Sequence, residues 1–299
     1  MPKSFTVDDD YNDSRLDKWF KQKVIALPHS LIERIIRQNK IKVNKKKTKS
    51  SYRLQIGDLI EVYDISKFKP TDAQKKIKYL PKKKEISEYD DYVIEDNSNF
   101  IVINKPTGIP VQSGTKSFKN IIDILKNTKY FESSKPFIVH RLDKETSGIL
   151  IIAKNRKFAQ LFTSLFRIRK IHKTYLALVY GKVDKSINTM RDDLTYYENN
   201  KRISQKAISN LKIIKSNEAY SYLELNPITG RKHQLRKQLL NIENPIVGDD
   251  KYFLNDRKRI KTKNLMLHAY KIKFMINNVK YNFKAKYNNF FEEFLRKNF

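Results

Sequence analysis

Residues 148–168, GILIIAKNRKFAQLFTSLFRI, constrain the fold more than any other stretch of the chain. A short apolar run reads as a strand. Asn155 then stands at a helix N-cap, and Phe158, Leu161, Phe162, Leu165 and Phe166 recur at helical spacing. A stripe that aromatic belongs in a core, against strands. Strand-like runs follow at TYLALVYG and YSYLEL, and precede it at YVIEDNSNFIVINKPTGIPVQ and FIVH. NPITG leads to a helix starting near His233. YKIKFMINNVKYNFKAK reads as a hairpin turning at Asn277–Asn278, and NNFFEEFLRKNF as a short final helix. Hairpins and helices mix without regular βαβ alternation and without a solenoid-length repeat. The expected class is α+β, with a mainly antiparallel mixed sheet flanked by helices.

Residues 13–65 read as a separate small domain of helices and a β-ribbon. SLIERIIRQNK is an amphipathic helix, with Leu31, Ile32, Ile35 and Ile36 on one face and the spacing of a capping box at Ser30 and Glu33. SRLDKWFKQKV is a shorter helix before it. IKVN and LIEV alternate as short strands, with Gly57–Asp58 as a turn. Arg34, Arg37, Lys40, Lys42, Lys45, Lys46 and Lys47 cluster on the helix and its adjoining loop, which makes them candidate RNA contacts. Residues 66–90 carry two prolines, many lysines and no period. They are expected to form a basic linker to a second domain at 91–299.

The chain has 62 Lys and Arg against 32 Asp and Glu, a net of +30. Residues 1–90 hold 22 basic and 13 acidic residues, so the excess is spread over both parts. Such a balance points to a polyanionic partner, most simply nucleic acid, although a lysine-rich composition also contributes. Cysteine is absent, which excludes disulfides, thiolate nucleophiles and Cys-type zinc sites. The five histidines show no metal-ligand spacing, so no metal is expected. The chain lacks a phosphate-binding glycine loop and a GxSxG elbow, so no nucleotide cofactor or serine nucleophile is expected either. No apolar run is of membrane-spanning length and the first residues lack a secretory pattern. A cytoplasmic monomer is the expectation.

What remains is acid chemistry. In HRLDKETSGILIIAKN, residues 140–155, Asp143 lies in a polar turn between two apolar runs and is flanked by Arg141 and Lys144. It caps the turn before Thr146–Ser147–Gly148 or it carries a reaction. KTYLALVYG places Tyr175 at the start of a strand. NPITGRKHQLRKQL turns into a helix carrying Leu235 and Arg236. On residue types alone, Tyr175 fits a core aromatic and Arg236 a surface charge as well as a site.

These segments together resemble the RluA-type pseudouridine synthase family. HRLDKETSGILIIAKN follows that family's pattern HRLDxxTSGLLLxAK. INKPTGIPVQSG resembles its Lys-Pro-x-Gly loop, KTYLALVYG its tyrosine strand and TGRKHQLR its Arg-rich turn. NPIVGDDKY and LMLHAYKIKF match further segments. The N-terminal part resembles the alpha-L RNA-binding domain, of the kind found in a small-subunit ribosomal protein. VNKKKTKSSYRLQIGD with VQSGTKSF is most similar to the large ribosomal subunit synthase C subtype.

The resemblance implies isomerisation of uridines in large-subunit ribosomal RNA, or in a ribosomal precursor particle, without a cofactor. Asp143 is then the catalytic acid. Arg141 helps to fill the stack left by the flipped base, and Tyr175 stacks on the uracil. Arg236 pairs with Asp143, and Leu235 is an apolar wall. Gln238 and Asn244 stand where histidine is common in the family, which bears on local RNA contacts. One acid in an apolar frame suits an isomerase better than a glycosidase, which uses two carboxylates. Tyr175 is the candidate base for the proton leaving carbon five. The alternatives are a non-catalytic RNA-binding ribosome assembly factor, suggested by the basic stretches 40–49 and 66–84, and a nucleosidase that releases free uracil.

Overall fold

The computed structural model describes residues 2–64, 79–113, 119–198, 201–254 and 264–299. The chain divides into two compact units, Met1–Lys78 and Tyr79–Phe299.

The first unit contains β1 (Lys3–Thr6), α1 (Leu16–Lys23), α2 (His29–Arg37), β2 (Ile41–Val43), β3 (Lys46–Lys47) and β4 (Leu59–Val62). Its strands form one antiparallel sheet in the order β1-β4-β2-β3. Strand β1 precedes the expected boundary at residue 13 and is paired to β4 along its length. Ile32, Ile35 and Ile36 of α2 are buried with Leu16, Trp19 and Phe20 of α1 against Ile41, Val43, Ile60 and Val62 of the sheet. This is the apolar face expected for α2. The expected capping box is not formed: Pro28 is the N-cap, and Ser30 lies inside the first turn. Proline suits a helix start because its missing N–H leaves no donor unsatisfied there. Asn44 and Lys45 both take left-handed backbone, which turns β2 tightly into β3. The Asn44 side chain secures the turn by accepting from Leu59 N at 2.8 Å and donating to Asp58 at 2.7 Å.

The second unit begins with α3 (Lys83–Ser87), within the expected linker. Residues 66–78 of that linker fall outside the described residues, whereas 79–90 belong to this unit's fold. Tyr89 is buried and Tyr79 is partly buried in its core. There follow β5 (Val93–Asp96), β6 (Phe100–Lys105), α4 (Ile121–Leu125), β7 (Phe137–Ile138), β8 (Ser147–Ala153), α5 (Arg156–Arg167) and β9 (His172–Tyr180). The chain continues with β10 (Thr189–Glu198), β11 (Lys201–Ser216), β12 (Tyr220–Pro227), α6 (Gln234–Asn241), β13 (Leu267–Ile276), β14 (Val279–Lys284) and α7 (Asn289–Asn298). One sheet runs β10-β11-β12-β9-β13-β8-β6-β5, with β14 beside β13 and β7 beside β8. Among the described residues its pairings are antiparallel except for β13 with β8. The long β10–β11 hairpin was not expected from sequence: its alternation is diluted by polar residues on both faces.

Strand β8 is buried from end to end. Leu150 and Ile152 face a cluster with Ile121, Ile124 and Leu125 of α4. Ile149 and Ile151 face another with Phe162 of α5 and Phe274 of β13. A strand covered on both faces reads as an unbroken apolar run, which explains ILIIA. The start of β8 meets β13 at unusually short range. Gly148 has φ +107°, and a Cβ there would lie 2.3 Å from the carbonyl oxygen of Ala269. Two histidines secure the same strand. His140 Nε2 accepts from Ile151 N at 2.8 Å. His268 donates from Nε2 to Ala285 O at 3.2 Å, so its Nδ1 accepts from the Ser147 hydroxyl at 2.9 Å. Both are neutral in the fold, because burial pushes His140 down to about 3 and His268 down to about 4.

Two outcomes follow from this strand. Gly148→Ala combines a backbone clash with left-handed strain and should destabilise the unit by about 3–5 kcal/mol, lowering the melting temperature by roughly 10 °C. His140 and His268 bind protons more readily unfolded than folded. Their stabilisation is therefore complete above the unfolded value of 6.5 and is lost as pH falls toward 4. Chemical denaturation should show stability falling by about 1.4 kcal/mol per pH unit for each histidine across that window. His268→Gln should flatten the slope.

Candidate active site

A cleft of about 880 Å³ opens where the 138–146 segment, the end of α5, the start of β9, the 227–233 turn and the first turn of α6 converge. The residues expected to form a site meet there: Arg141, Asp143, Tyr175, Leu235 and Arg236 all line it. Asp143 is the one acid among the lining residues. Its carbonyl oxygen accepts from Thr146 N at 3.2 Å, closing the turn through the main chain. The turn is thus capped without the carboxylate, which is 28% exposed and faces the cleft. Structure in this way separates the two readings that residue types left open.

Arg236 is 4% exposed, a buried partner and not a surface charge. Its Nη1 lies 3.7 Å from Asp143 Oδ2 and 3.7 Å from Glu145 Oε2. Its tightest partner is Asp249. Arg236 Nε and Nη2 each donate to that carboxylate at 2.7 Å, a two-pronged pairing that matches the guanidinium fork. Asp249 Oδ1 also accepts from Lys251 N and Tyr252 N at 2.9 Å, and its side chain is wholly buried. The guanidinium carbon sits 5.1 Å from the centre of the Tyr252 ring. Burial works against the charge on Arg236. Asp249 outweighs that, aided by Asp143 and Glu145, so its pKa lies above the ordinary value. The expectation of one acid in an apolar frame is therefore corrected: Asp143, Glu145 and Asp249 all converge on Arg236.

His233 begins α6 with left-handed backbone at φ +54°. Its Nε2 is 3.7 Å from Asp143 Oδ1, and its Nδ1 is within hydrogen-bond distance of the Tyr252 hydroxyl at 2.9 Å. Burial lowers its pKa. Asp143 opposes that, while Arg236, Lys251 and Lys232 reinforce it, and the net shift is downward. Tyr175 is half-buried on the cleft wall. Burial first, and then Asp143, push its phenol above the ordinary value, so it stays protonated at neutral pH. That disfavours the expected role of Tyr175 as a base. Leu235 is buried beside it, and Arg141 is exposed at the rim.

The Asp143 loop is held from beneath by residues that sequence reasoning passed over. Lys105 is fully buried at the end of β6 and donates to the carbonyl oxygens of Pro106 and Ile109 at 2.8 Å and of Lys144 at 3.1 Å. Thr107 donates its hydroxyl to Glu145 O at 2.6 Å, and Gly108 N donates to Lys144 O at 2.9 Å. Burial lowers Lys105 to about 7, against the opposing pull of Glu145 and Asp143. On the other wall, Gln234 Oε1 accepts from Thr229 Oγ1 at 2.7 Å and from Arg231 N at 2.9 Å, fixing the turn into α6.

Gln238 and Asn244 make internal bonds rather than facing a ligand. Gln238 is fully buried, accepting from Ser209 at 2.7 Å and donating to Asp192 at 2.8 Å. Asn244 donates to Tyr180 O at 2.9 Å. Signals for the missed residues were present: an acid pair after Gly248 in a basic chain, and a lysine ending an apolar strand before proline.

In the first unit, Arg34 and Arg37 are exposed on α2, and Lys45, Lys46 and Lys47 are exposed around the β2–β3 turn. Lys42 lies over the Tyr63 ring at 5.2 Å, and Lys40 is paired with Asp64. Lys40 is therefore already partly neutralised. Among the described residues no group of three or more His, Cys, Asp or Glu side chains is placed to hold a metal ion, and no helix is long and apolar enough to cross a membrane.

The chain is similar to known proteins along most of its length. The RNA pseudouridylate synthase family matches residues 99–241, and the S4 domain matches residues 14–60. The ribosomal large subunit pseudouridine synthase C of Rickettsia felis is 36% identical over 86% of this chain and 87% of its own. The enzyme of the same name from Haemophilus influenzae is 31% identical over 91% of this chain and 87% of its own. Among solved structures, human RNA pseudouridylate synthase domain containing 4 is 25% identical, covers 71% of this chain and 94% of its own, and superposes with a TM-score of 0.61. The chain belongs to the RNA pseudouridylate synthase family and carries an S4 domain ahead of its synthase domain.

Proposed function

We propose that this enzyme isomerises uridines of large-subunit ribosomal RNA to pseudouridine in the 880 Å³ cleft, with Asp143 as its catalytic residue. The observation that carries this reading is the Asp143 carboxylate. It is open to the cleft, free of the turn it sits in, and aimed by the buried Arg236. The substrate is taken as free RNA or as a precursor particle, and the enzyme as a monomer of the cytoplasm. The names of the relatives support the choice of RNA.

The reaction breaks the bond between uracil N1 and ribose C1′, turns the uracil, and joins C5 to C1′; a proton leaves C5 and one is taken up at N1, so the product is an isomer of uridine. The target base must first leave its stack, which costs a few kcal/mol. The Tyr175 ring offers a stacking partner inside the cleft, and Arg141 at the rim can fill the gap left behind. Leu235 and Tyr175 give the cleft an apolar wall that keeps water from the detached uracil. The Asp143 carboxylate serves by attacking C1′ or by taking the C2′ proton. Both routes require a carboxylate held in one direction, and Arg236 supplies that hold. The protonated Tyr175 phenol is suited to stacking and to donating a hydrogen bond. In the S4 unit, Arg34, Arg37, Lys42, Lys45, Lys46 and Lys47 are assigned to RNA phosphates, with Lys40 contributing less because Asp64 holds it.

Asp143→Asn keeps the side chain's size and removes its charge. The purified variant should bind transcribed large-subunit RNA within about threefold of wild type, yet form no pseudouridine by mass spectrometry. Product at the wild-type rate would sink the assignment. Asp249→Asn leaves the Arg236 guanidinium short of its main counter-charge. It should lower stability by about 3–5 kcal/mol and, in the folded fraction, cut kcat at least tenfold with little change in RNA affinity.

A further inference from the structure

Strand β9 presents two side chains to the cleft, Lys173 and Tyr175. Thr174 between them points the other way and donates its hydroxyl to Asn226 Oδ1 at 2.9 Å. Residues two apart on a strand share a face and lie roughly 6–7 Å apart along it. Tyr175 has a role in the reading above; Lys173 has none. Its Nζ lies 3.8 Å from the place a Cβ would occupy at Gly230, so the ammonium reaches across to the 227–233 turn.

Lys173 is a half-buried cleft cation beside Tyr175 whose charge no acid among the described residues answers. Arg236 is answered by Asp249, and Arg231 Nε donates to Lys206 O at 3.1 Å. The one acid lining the cleft, Asp143, faces Arg236 and His233. The Lys173 side chain makes no ion pair or hydrogen bond to any described residue. It is half-buried on the cleft wall, and burial depresses its pKa. His140 feels the Lys173 charge, which further disfavours its charged form. An ammonium withdrawn from water without a counter-charge is unfavourable, and a bound anion relieves it. In an RNA cleft that anion is a phosphodiester.

We propose that Lys173 binds a backbone phosphate flanking the flipped uridine, anchoring the extruded nucleotide while its base lies on Tyr175. The 6–7 Å step along β9 is comparable to the reach from a pyrimidine ring to the phosphate of its own nucleotide. The lysine is thus a substrate-binding residue of the synthase cleft. It is distinct from the S4 cations, whose contacts lie on the other unit. The assignment rests on reading the Asp143 cleft as the uridine site.

The test uses the full chain and transcribed large-subunit ribosomal RNA, with wild type, Lys173→Met and Lys173→Arg assayed for KM and kcat over a salt series. Methionine keeps the length and apolar stem without the charge. Lys173→Met should raise KM roughly tenfold, with kcat within about twofold. The slope of log(1/KM) against log salt should become shallower by about 0.7, the share of one phosphate contact on a single strand. Lys173→Arg should recover most of the affinity and the full slope. A methionine variant with wild-type KM and slope overturns the proposal. So does a loss in kcat alone with an unchanged slope, which marks a structural role. Wild type that makes no pseudouridine refutes the reading of the cleft itself, and the Lys173 assignment falls with it.

Discussion

Arg236 is almost wholly buried, and a guanidinium in that position needs anions placed to match its fork. Asp249 provides the match, with two bonds of 2.7 Å and two backbone amides holding it in turn. With that side satisfied, the remaining Nη1 faces Asp143 and Glu145 at 3.7 Å each. The arrangement divides the labour. Asp249 holds the arginine tightly, and the arginine holds Asp143 loosely enough for the carboxylate to meet a substrate. A direct short pair between Arg236 and Asp143 would occupy the oxygens the proposed reaction needs.

The fold supplies each member of this chain of charges from a rigid base. Asp143 sits just before β8, which is buried on both faces and joined to β13 at a distance that only glycine permits. Lys105 clasps the loop from below through three carbonyl oxygens. Arg236 and Leu235 come from the first turn of α6, whose entry is set by the Gln234 bonds and the left-handed His233. Tyr175 and Lys173 come from one face of β9. Three separate segments, the Asp143 loop, α6 and β9, thus aim side chains at one cleft.

Much of this was legible in the order of residues. The helix at Asn155 is capped as expected, by its side chain accepting from Phe158 N, and the hairpin turns at Asn277–Asn278. The family resemblance gathered Arg141, Asp143, Tyr175, Leu235 and Arg236, which the structure brings to one cleft. Sequence alone did not reveal Asp249, because its importance lies in a contact with a residue thirteen positions away. Lys105 was legible only as part of the Lys-Pro-x-Gly segment; its three carbonyl partners under the Asp143 loop were not. Gln238 and Asn244 looked like altered RNA contacts and are internal bonds. The β10–β11 hairpin escaped notice because polar residues break its alternation. The Ser30 cap failed because Pro28 is the N-cap, two residues before the position the pattern suggests.

The central claim is that this cleft makes pseudouridine in large-subunit ribosomal RNA. Its most direct measurement is a pseudouridine map of that RNA from cells with and without the protein. The account predicts that a discrete set of pseudouridines disappears without the protein and returns when it is restored, with uridine in their place. A map that is identical in both cells would contradict it.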